Sequence, residues 1–458
     1  MVGPRIVVVG TGPAGVRCAE QLVAAGIRPV VIDEGGRDGG QIYRRQPPNF
    51  RRGYADLYGS EAAKADALHR AFDALRDRID YHPGTLAWNV TEGELHLMRD
   101  GAAWRAPYDA LIVCAGATDR LMPVKGWQHA GTYSLGAAQV ALKSQACSVG
   151  RRVVFLGSGP LLYLVAAQYL KAGAAIGAVL DTARLSDRVA ALPRLLARPG
   201  VLRNGLSYIA ALRRAGVPLL SGVTPVEITG DAARGVDGIV VRDGAGRERR
   251  FDCDAVAMGY HLRPETQLAD LARCAFRFDA EARQWFPEVS LEGRSSVKGV
   301  YLAGDGARIL GADGAENAGR LAALSALADL GLPVDRARVA ALLREQGVME
   351  RFRRGLVRAF PWPAGQAADL ADDAIVCRCE CITAGELRRT VREMGAAEAN
   401  RAKAFSRVGM GRCQGRYCGQ AGAEVVAHAA AVPLEQVGRL RGQAPVKPLA
   451  IATREETQ

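Results

Sequence analysis

The chain has 458 residues, 24% charged and 49% hydrophobic, and carries a formal charge of +12. That length gives room for about three domains, and a mean hydropathy near zero excludes disorder as the main state. No apolar run approaches the ~20 residues needed to cross a bilayer. The start lacks the regions of a secretory signal, so a cytoplasmic location, or one peripheral to a membrane, is expected. The basic balance raises nucleic acid as a partner, but the arginines are dispersed and no aromatic-interleaved basic patch occurs, which argues against it. The densest cluster, Arg351, Arg353, Arg354 and Arg358, reads as a solvated helix face or a contact with an acidic partner.

Ile6-Val7-Val8-Val9 is a β-branched run suited to a strand buried on both faces. Gly10-Thr11-Gly12-Pro13-Ala14-Gly15 comes next, then a helical pattern through Cys18, Leu22 and Val23. A second buried strand, Pro29 to Ile32, stops at Asp33-Glu34. Tyr108 to Cys114 is a further apolar strand, closed by Ala115-Gly116-Ala117. The opening pattern then returns: Arg152 to Leu156, Gly157-Ser158-Gly159-Pro160-Leu161-Leu162, a helix, and a strand ending at Asp181. Two such βαβ starts are a coarse repeat of fold. Arg250 to Met258 mirrors the strand at 108–114, and Gly299 to Ala303 runs into Gly304-Asp305-Gly306 and a helix from about Gly314. Residues 336–371, an Arg-rich helical stretch and then the breaker Phe360-Pro361-Trp362-Pro363, read as a linker. The tail, 431–458, carries Ala444-Pro445-Val446-Lys447-Pro448 and is expected to run extended over the surface.

The first glycine motif has a mechanism. Gly10 permits the tight turn, Gly12 lets backbone approach a pyrophosphate, and Gly15 packs the helix on its strand. Pro13 removes one N–H that has no helical partner at the first turn, and the remaining free N–H groups, from Ala14 on, and the helix dipole face a diphosphate. Asp33 would accept ribose hydroxyls, with Glu34 as the adjacent substitute. Further motifs favour FAD over NAD. Gly39-Gly40-Gln41 stands where flavoproteins of the disulfide-reductase type place a glycine pair, and Val300 to Asp305 looks like their second flavin motif, with Gly304 and the ribityl-binding Asp305. Ala312 and Ala315 bring small residues and a helix start towards the flavin ring, and Ala115-Gly116 resembles the third glycine crossing. The CxxxxC and CxxC of the disulfide reductases are absent, so thiol–disulfide exchange is not expected. The second glycine motif has Leu162 in place of its third glycine. Asp181 could still accept a ribose, but the site reads as degenerate.

The ten cysteines divide in two. Cys18, Cys114, Cys147, Cys253 and Cys274 read as core. Cys377-Arg378-Cys379 and Cys413 to Cys418 form a CxC and a CxxxxC, four thiolates as a [2Fe–2S] cluster needs. Neighbouring glycines free N–H groups for the sulfurs, and Arg378, Arg412 and Arg416 offset the cluster's charge. Structural zinc and unmetallated core cysteines are the alternatives. Cys381 is a surplus thiol.

These residues carry a resemblance. Gly10 to Gly15, Asp33-Glu34 with Gly39 to Tyr43, and Ala115 to Arg120 with Pro123 and Gly126-Trp127 resemble the α subunit of multimeric amino-acid and opine dehydrogenases. That group includes opine oxidases, hydroxyproline dehydrogenases and a hydrogen cyanide synthase subunit. Cys377 to Cys418 resembles the bacterioferritin-associated-ferredoxin domain that ends those subunits. The implied fold class is α/β: two Rossmann-like dinucleotide-binding domains of the disulfide-reductase type plus a small helical iron–sulfur domain. The expected boundaries are a discontinuous FAD domain at 1–125 and 255–335, a degenerate NAD(P)-binding-like domain at 126–254, and the cluster domain at 372–430. The resemblance implies that substrate oxidation occurs in a β-like flavoprotein subunit similar to glycine and sarcosine oxidases. It leaves room for FMN or a second FAD in or shared with that partner, and for a small ferredoxin-like subunit. No catalytic constellation stands out in this chain. The competing readings are a stand-alone NAD(P)H-dependent reductase and, more distantly, a zinc-stabilised assembly module. An interface with the partner is expected to involve the Arg-rich linker and the tail.

Overall fold

The computed structural model describes residues 3–49, 52–449 and 454–455. Its first sheet has the order Val300–Leu302, Ala110–Val113, Ile6–Val9, Val30–Ile32, Asp80–His82, with every pair parallel. Ile6 to Val9 sits at its centre, buried throughout, as a β-branched run covered on both faces must be. The helices Pro13–Ala24, Ala62–Leu75 and Gly311–Asp329 cover one face. The antiparallel meander Leu86–Thr91, Glu94–Arg99, Ala102–Pro107 packs on the other.

The second sheet repeats the plan with Leu219–Ser221, Ala175–Asp181, Arg152–Ser158, Ala255–Tyr260 and Thr132–Ser134, again all parallel. Ala255–Tyr260 therefore belongs to the second sheet, and the expected boundary at 255 moves beyond Tyr260. The strand pairs with Arg152–Ser158 just as Ala110–Val113 pairs with Ile6–Val9. The chain crosses back to the first domain immediately afterwards, where Leu262–Pro264 pairs antiparallel with Ala117–Asp119.

Residues 336–371 are not a bare linker. Arg336–Ala359 is a 24-residue helix, capped by Asp335 accepting from Arg338 N–H at 3.0 Å. It lies on the helix Leu185–Leu195, where Phe352 and Ala359 bury against Ala191 and Leu195. Gly355 permits that approach: a Cβ there would lie 3.0 Å from Leu195 backbone. Arg353, expected on a solvated face, is instead paired with Glu350 and Asp279. Asp279 comes from 74 positions away, so composition alone hides the pairing. Beyond the breaker, Trp362 is buried in a core shared by the second sheet and the C-terminal domain.

The C-terminal domain joins the short hairpin Ile375–Cys377 and Ile382–Thr383 to the helices Ala384–Met394, Ala399–Ser406 and Gly419–Ala430. Thr383 and Glu386 form the reciprocal cap that their spacing implies. The end of the expected tail lies largely outside the described residues, and the described part, residues 431–449, is not a loose extension. It contains the short helix Leu434–Val437. Val446 is buried against the meander of the first domain, and the Pro445 and Val446 carbonyls accept from Gln414 and Arg416.

Candidate functional site: a dinucleotide cradle and a four-thiol loop

The turn at Gly10 to Gly15 is built around close backbone contact. Gly10 has φ +102°, and a Cβ on it would lie 2.4 Å from the Cys114 carbonyl oxygen. A Cβ on Gly15 would lie 1.7 Å from the Gly10 carbonyl oxygen. Gly319 faces Ala14 across the helix pair, where a Cβ would meet the Ala14 oxygen at 2.0 Å. Gly304 (φ +70°) likewise leaves only 2.8 Å to Ala14 Cβ and 3.4 Å to Ala315 Cβ. Gly40 and Gly12 approach so closely that a Cβ on Gly40 would meet Gly12 Cα at 2.9 Å. Gly306 abuts Gly116 in the same way, at 3.2 Å. Residues 10–15, 40, 115–116, 304–306 and 315 thus converge from four chain segments on one rim. Gly12 N-caps the helix Pro13–Ala24 without any side-chain cap, leaving its first N–H groups for an anion. The cradle fits a dinucleotide pyrophosphate, because each contact that shapes it excludes a side chain.

The acidic residues beside it behave differently from a pair of free acceptors. Asp33 accepts from Thr11 N–H and Thr11 Oγ1, each at 2.5 Å, and from Gly35 N–H at 2.6 Å. Burial raises its carboxyl above the usual range, and these bonds oppose the rise. Asp33 therefore holds the glycine turn. Glu34 is exposed and pairs with Lys447 from the tail. Asp305 accepts from Leu310 N–H (2.9 Å) and Gly311 N–H (3.1 Å), and burial pushes it up to about 6. Gln41 is exposed and accepts from Arg44 at 2.8 Å, while Ala312 is partly buried against the helix core of the first domain.

The second glycine turn keeps its geometry but not its opening. Gly157 (φ +143°) lies against Gly259, and Leu162 is buried among Phe155, Val165 and Tyr169. Asp181 is fully buried. Its carboxylate takes the Arg188 guanidinium at 2.5 Å and the Tyr163 hydroxyl at 2.8 Å. Arg188 stacks over Tyr163 and Phe360 at 5.3 and 5.4 Å. The Phe360 carbonyl is bonded to His261 Nε2 at 2.9 Å. Thus Asp181, which could have accepted a ribose in a site that reads as degenerate, is taken by the chain's own Arg188, itself stacked against Phe360.

The four thiols of the CxC and CxxxxC come together. Cys377 and Cys418 are buried, Cys413 is half-buried and Cys379 is exposed. Hydrogen bonding from Cys418, with backbone N–H groups of Gly409, Glu380 and Cys379, holds Cys377 down at about 6. Cys418, with N–H groups of Tyr417 and Gly415, holds Cys413 at about 5. Cys418 itself is driven well up by those two neighbours, and Cys379 lies beside Cys413. Backbone donors aimed at sulfur suit a cluster whose charge must be spread. The sulfurs form a chain of neighbours, and among the described residues no three such side chains close around a single ion. Four thiolates are the donor set that a [2Fe–2S] cluster takes. Cys381 stands apart, exposed, with its Sγ 3.9 Å from the Arg378 carbonyl. A cavity of about 250 Å³ opens over the four thiols, walled by Trp127 and Tyr417.

Trp127, which only the family resemblance singles out, donates its indole N–H to the Ile375 carbonyl at 2.6 Å, two residues before Cys377. Glu424 escapes sequence reasoning because it sits in an alanine-rich helix. It is fully buried, accepts from Arg283 at 3.1 and 2.7 Å, and accepts from the Trp362 indole at 2.9 Å. Arg120 stacks on that indole at 3.8 Å. These groups lock the cluster domain to both nucleotide-fold domains.

This arrangement defines the chain as a flavin oxidoreductase with an iron–sulfur domain. It belongs to the pyridine nucleotide-disulphide oxidoreductase family, which matches residues 4–322, and the BFD-like [2Fe-2S] binding domain matches residues 375–428. FAD and a [2Fe-2S] cluster are its cofactors. An opine oxidase subunit of Rhizobium meliloti is 36% identical, covering 98% of this chain and 86% of that one. Hydrogen cyanide synthase subunit HcnB of Pseudomonas protegens is 30% identical, covering 90% and 89%. The crystal structure of L-proline dehydrogenase from P. horikoshii superposes with a TM-score of 0.70 at 17% identity, covering 98% of this chain and 79% of that one. Among the described residues no helix is long and apolar enough to cross a membrane.

Proposed function

We propose that this chain is the electron-transfer subunit of a flavin-dependent amino-acid, imino-acid or opine dehydrogenase complex. The observation that carries this reading is the sealed second nucleotide site. With Asp181 buried and held by Arg188, which stacks on Phe360, a nicotinamide dinucleotide lacks its ribose acceptor. The alternative reading, a stand-alone NAD(P)H-dependent reductase, then lacks an electron source. In our reading Gly10, Gly12, Pro13, Ala14, Gly15, Gly40, Ala115, Gly116, Gly304 and Ala315 seat the FAD, with Asp305 at its ribityl chain. Asp33 acts by fixing the turn. Cys377, Cys379, Cys413 and Cys418 hold the cluster. Bound in these places, the flavin exchanges electron pairs or single electrons and the cluster carries them singly.

The partner is a catalytic flavoprotein subunit that oxidises the C–N bond and delivers the electrons. Relatives that are themselves subunits of opine oxidase and hydrogen cyanide synthase support a partner. So does the surface. Leu185, Val189, Leu192 and Leu196 are 68%, 58%, 41% and 60% exposed and succeed one another at helical spacing along a single face. An apolar stripe of that kind marks an interaction surface. In this reading it takes the place of the 336–371 segment and of the described tail to residue 449, which pack on the rest of the chain. The test is anaerobic. NADH or NADPH should leave the flavin spectrum of the isolated chain unchanged. Co-expression with an amino-acid-oxidase-like subunit should yield one complex whose amino substrate bleaches the flavin and cluster. Fast bleaching of the lone chain by NADH would overturn the reading.

A further inference from the structure

We propose that Glu265 is a positioning residue that ties the iron–sulfur loop to the flavin crossing and balances the charge around the cluster. The inference rests on the reading that Ala115-Gly116 borders the flavin and that Cys377, Cys379, Cys413 and Cys418 hold the cluster. Glu265 comes directly after the strand Leu262–Pro264, whose partner Ala117–Asp119 continues from Gly116. Its backbone N–H donates to the Gly116 carbonyl at 2.9 Å. Its carboxylate accepts from Arg416 Nε at 2.7 Å and Nη2 at 3.2 Å. Arg416 lies inside the loop from Cys413 to Cys418, and its Nη1 donates to the Cys413 carbonyl at 3.3 Å. Arg263, two residues before Glu265, donates to the Arg416 carbonyl at 2.9 Å. One residue thus joins the flavin crossing and the cluster loop through its main chain on one side and its side chain on the other.

The pair is shielded, with the Arg416 and Glu265 side chains only 9% and 16% exposed, so its charges act at low screening. Two guanidiniums, Arg263 and Arg416, face the loop, and Glu265 is the carboxylate that offsets them. Burial lowers Arg263, with Glu265 opposing that fall. For Glu265, burial is outweighed by the Arg416 and Arg263 charges, which hold it below the usual carboxylate range. Arginines near a cluster favour its reduced, more negative form, and a neighbouring carboxylate opposes it. Arg416 is therefore not a free cation, as its position between two ligands suggests, but half of a compensated pair.

The experiment is a redox titration of the purified holoprotein followed by electron paramagnetic resonance, with iron, sulfide and FAD counted in each variant. Glu265→Gln should raise the cluster's midpoint potential by at least tenfold in its reduction equilibrium, about 59 mV for one electron. Glu265→Asp keeps the charge and should stay within about threefold of wild type. An unmoved potential in Glu265→Gln, or an equal shift in Glu265→Asp, overturns the proposal. Should Glu265→Gln not fold, Arg416→Gln decides. It should lower the potential by at least about tenfold while Arg416→Lys holds it, and an unmoved or raised potential overturns the proposal. Wild-type protein without iron and sulfide would instead refute the ligand reading, a separate result.

Discussion

Removing the Glu424 carboxylate should loosen the cluster domain and leave the flavin domain intact. In Glu424→Ala, Arg283 loses both its bonds, the Trp362 indole N–H loses its acceptor, and buried Arg120, already lowered to about 9 by burial, loses the charge that supports it. Breaking a buried ion pair by deleting one partner costs about 3–5 kcal/mol. The Arg283 side chain is 38% exposed and can regain water, so the lower end, about 3 kcal/mol, applies. That is roughly a hundredfold in the local opening equilibrium. Glu424→Gln keeps an acceptor for Trp362 and should cost about tenfold. A chain of several domains does not unfold in one step, so amide hydrogen exchange is the suitable assay. Amides of Gly419–Ala430 should lose about a hundredfold protection in the alanine variant, while those of Pro13–Ala24 stay unchanged. Protection of Gly419–Ala430 within about threefold of wild type would refute the claim that this network docks the domain.

Burial places the folded carboxyl of Asp305 at about 6, above the ordinary 3.8. The folded state then keeps a proton that the unfolded chain has released, so stability falls as pH rises from about 4 to about 6. In flavin-free protein Asp305→Asn should remove that slope and add about 2–3 kcal/mol at neutral pH; urea titrations across this range would show it, and an unaltered slope would contradict it. Gly15→Ala places a Cβ 1.7 Å from the Gly10 oxygen, so FAD released on denaturation should drop below about a tenth of wild type. Full occupancy would show that the turn can relax. Cys413→Ser should lose the cluster's iron, whereas Cys381→Ser, whose thiol lies outside the group, should keep all of it; metal analysis distinguishes the two.

The parts of this fold that sequence reveals are those made by neighbours. Both glycine turns, their flanking strands and the Thr383–Glu386 cap each have a local residue signature, even where the contact that needs it is distant, as at Gly10 against the Cys114 carbonyl. The four thiols are legible because a CxC and a CxxxxC within 42 positions supply the four thiolates that a [2Fe–2S] cluster needs. The hidden parts depend on distant partners. Arg353 reads as solvated until Asp279 is brought to it. Arg188 reads as one more surface arginine until Asp181 and Phe360 close around it. Asp33 has the position of a ribose acceptor, and only the structure shows that Thr11, inside the glycine motif, also donates to its carboxylate. Ala255–Tyr260 resembles a strand of either sheet, and only pairing with Arg152–Ser158 assigns it. Trp362 looks like part of a chain breaker because Pro361 and Pro363 flank it, and its indole finds Glu424 far along the chain.

In the proposed complex, the Leu185–Leu196 stripe also bears on how the cell would keep this chain in proportion to a partner. A solitary copy leaves four large apolar side chains in water, the type of patch that chaperones and proteases engage. Surplus chains would then be removed while assembled ones are spared, without a dedicated regulator. Abundance would track the scarcer subunit. A pulse-chase comparison in cells with and without the partner would read this as a difference in half-life, and replacing Val189 and Leu192 by glutamine should lengthen the life of the solitary chain.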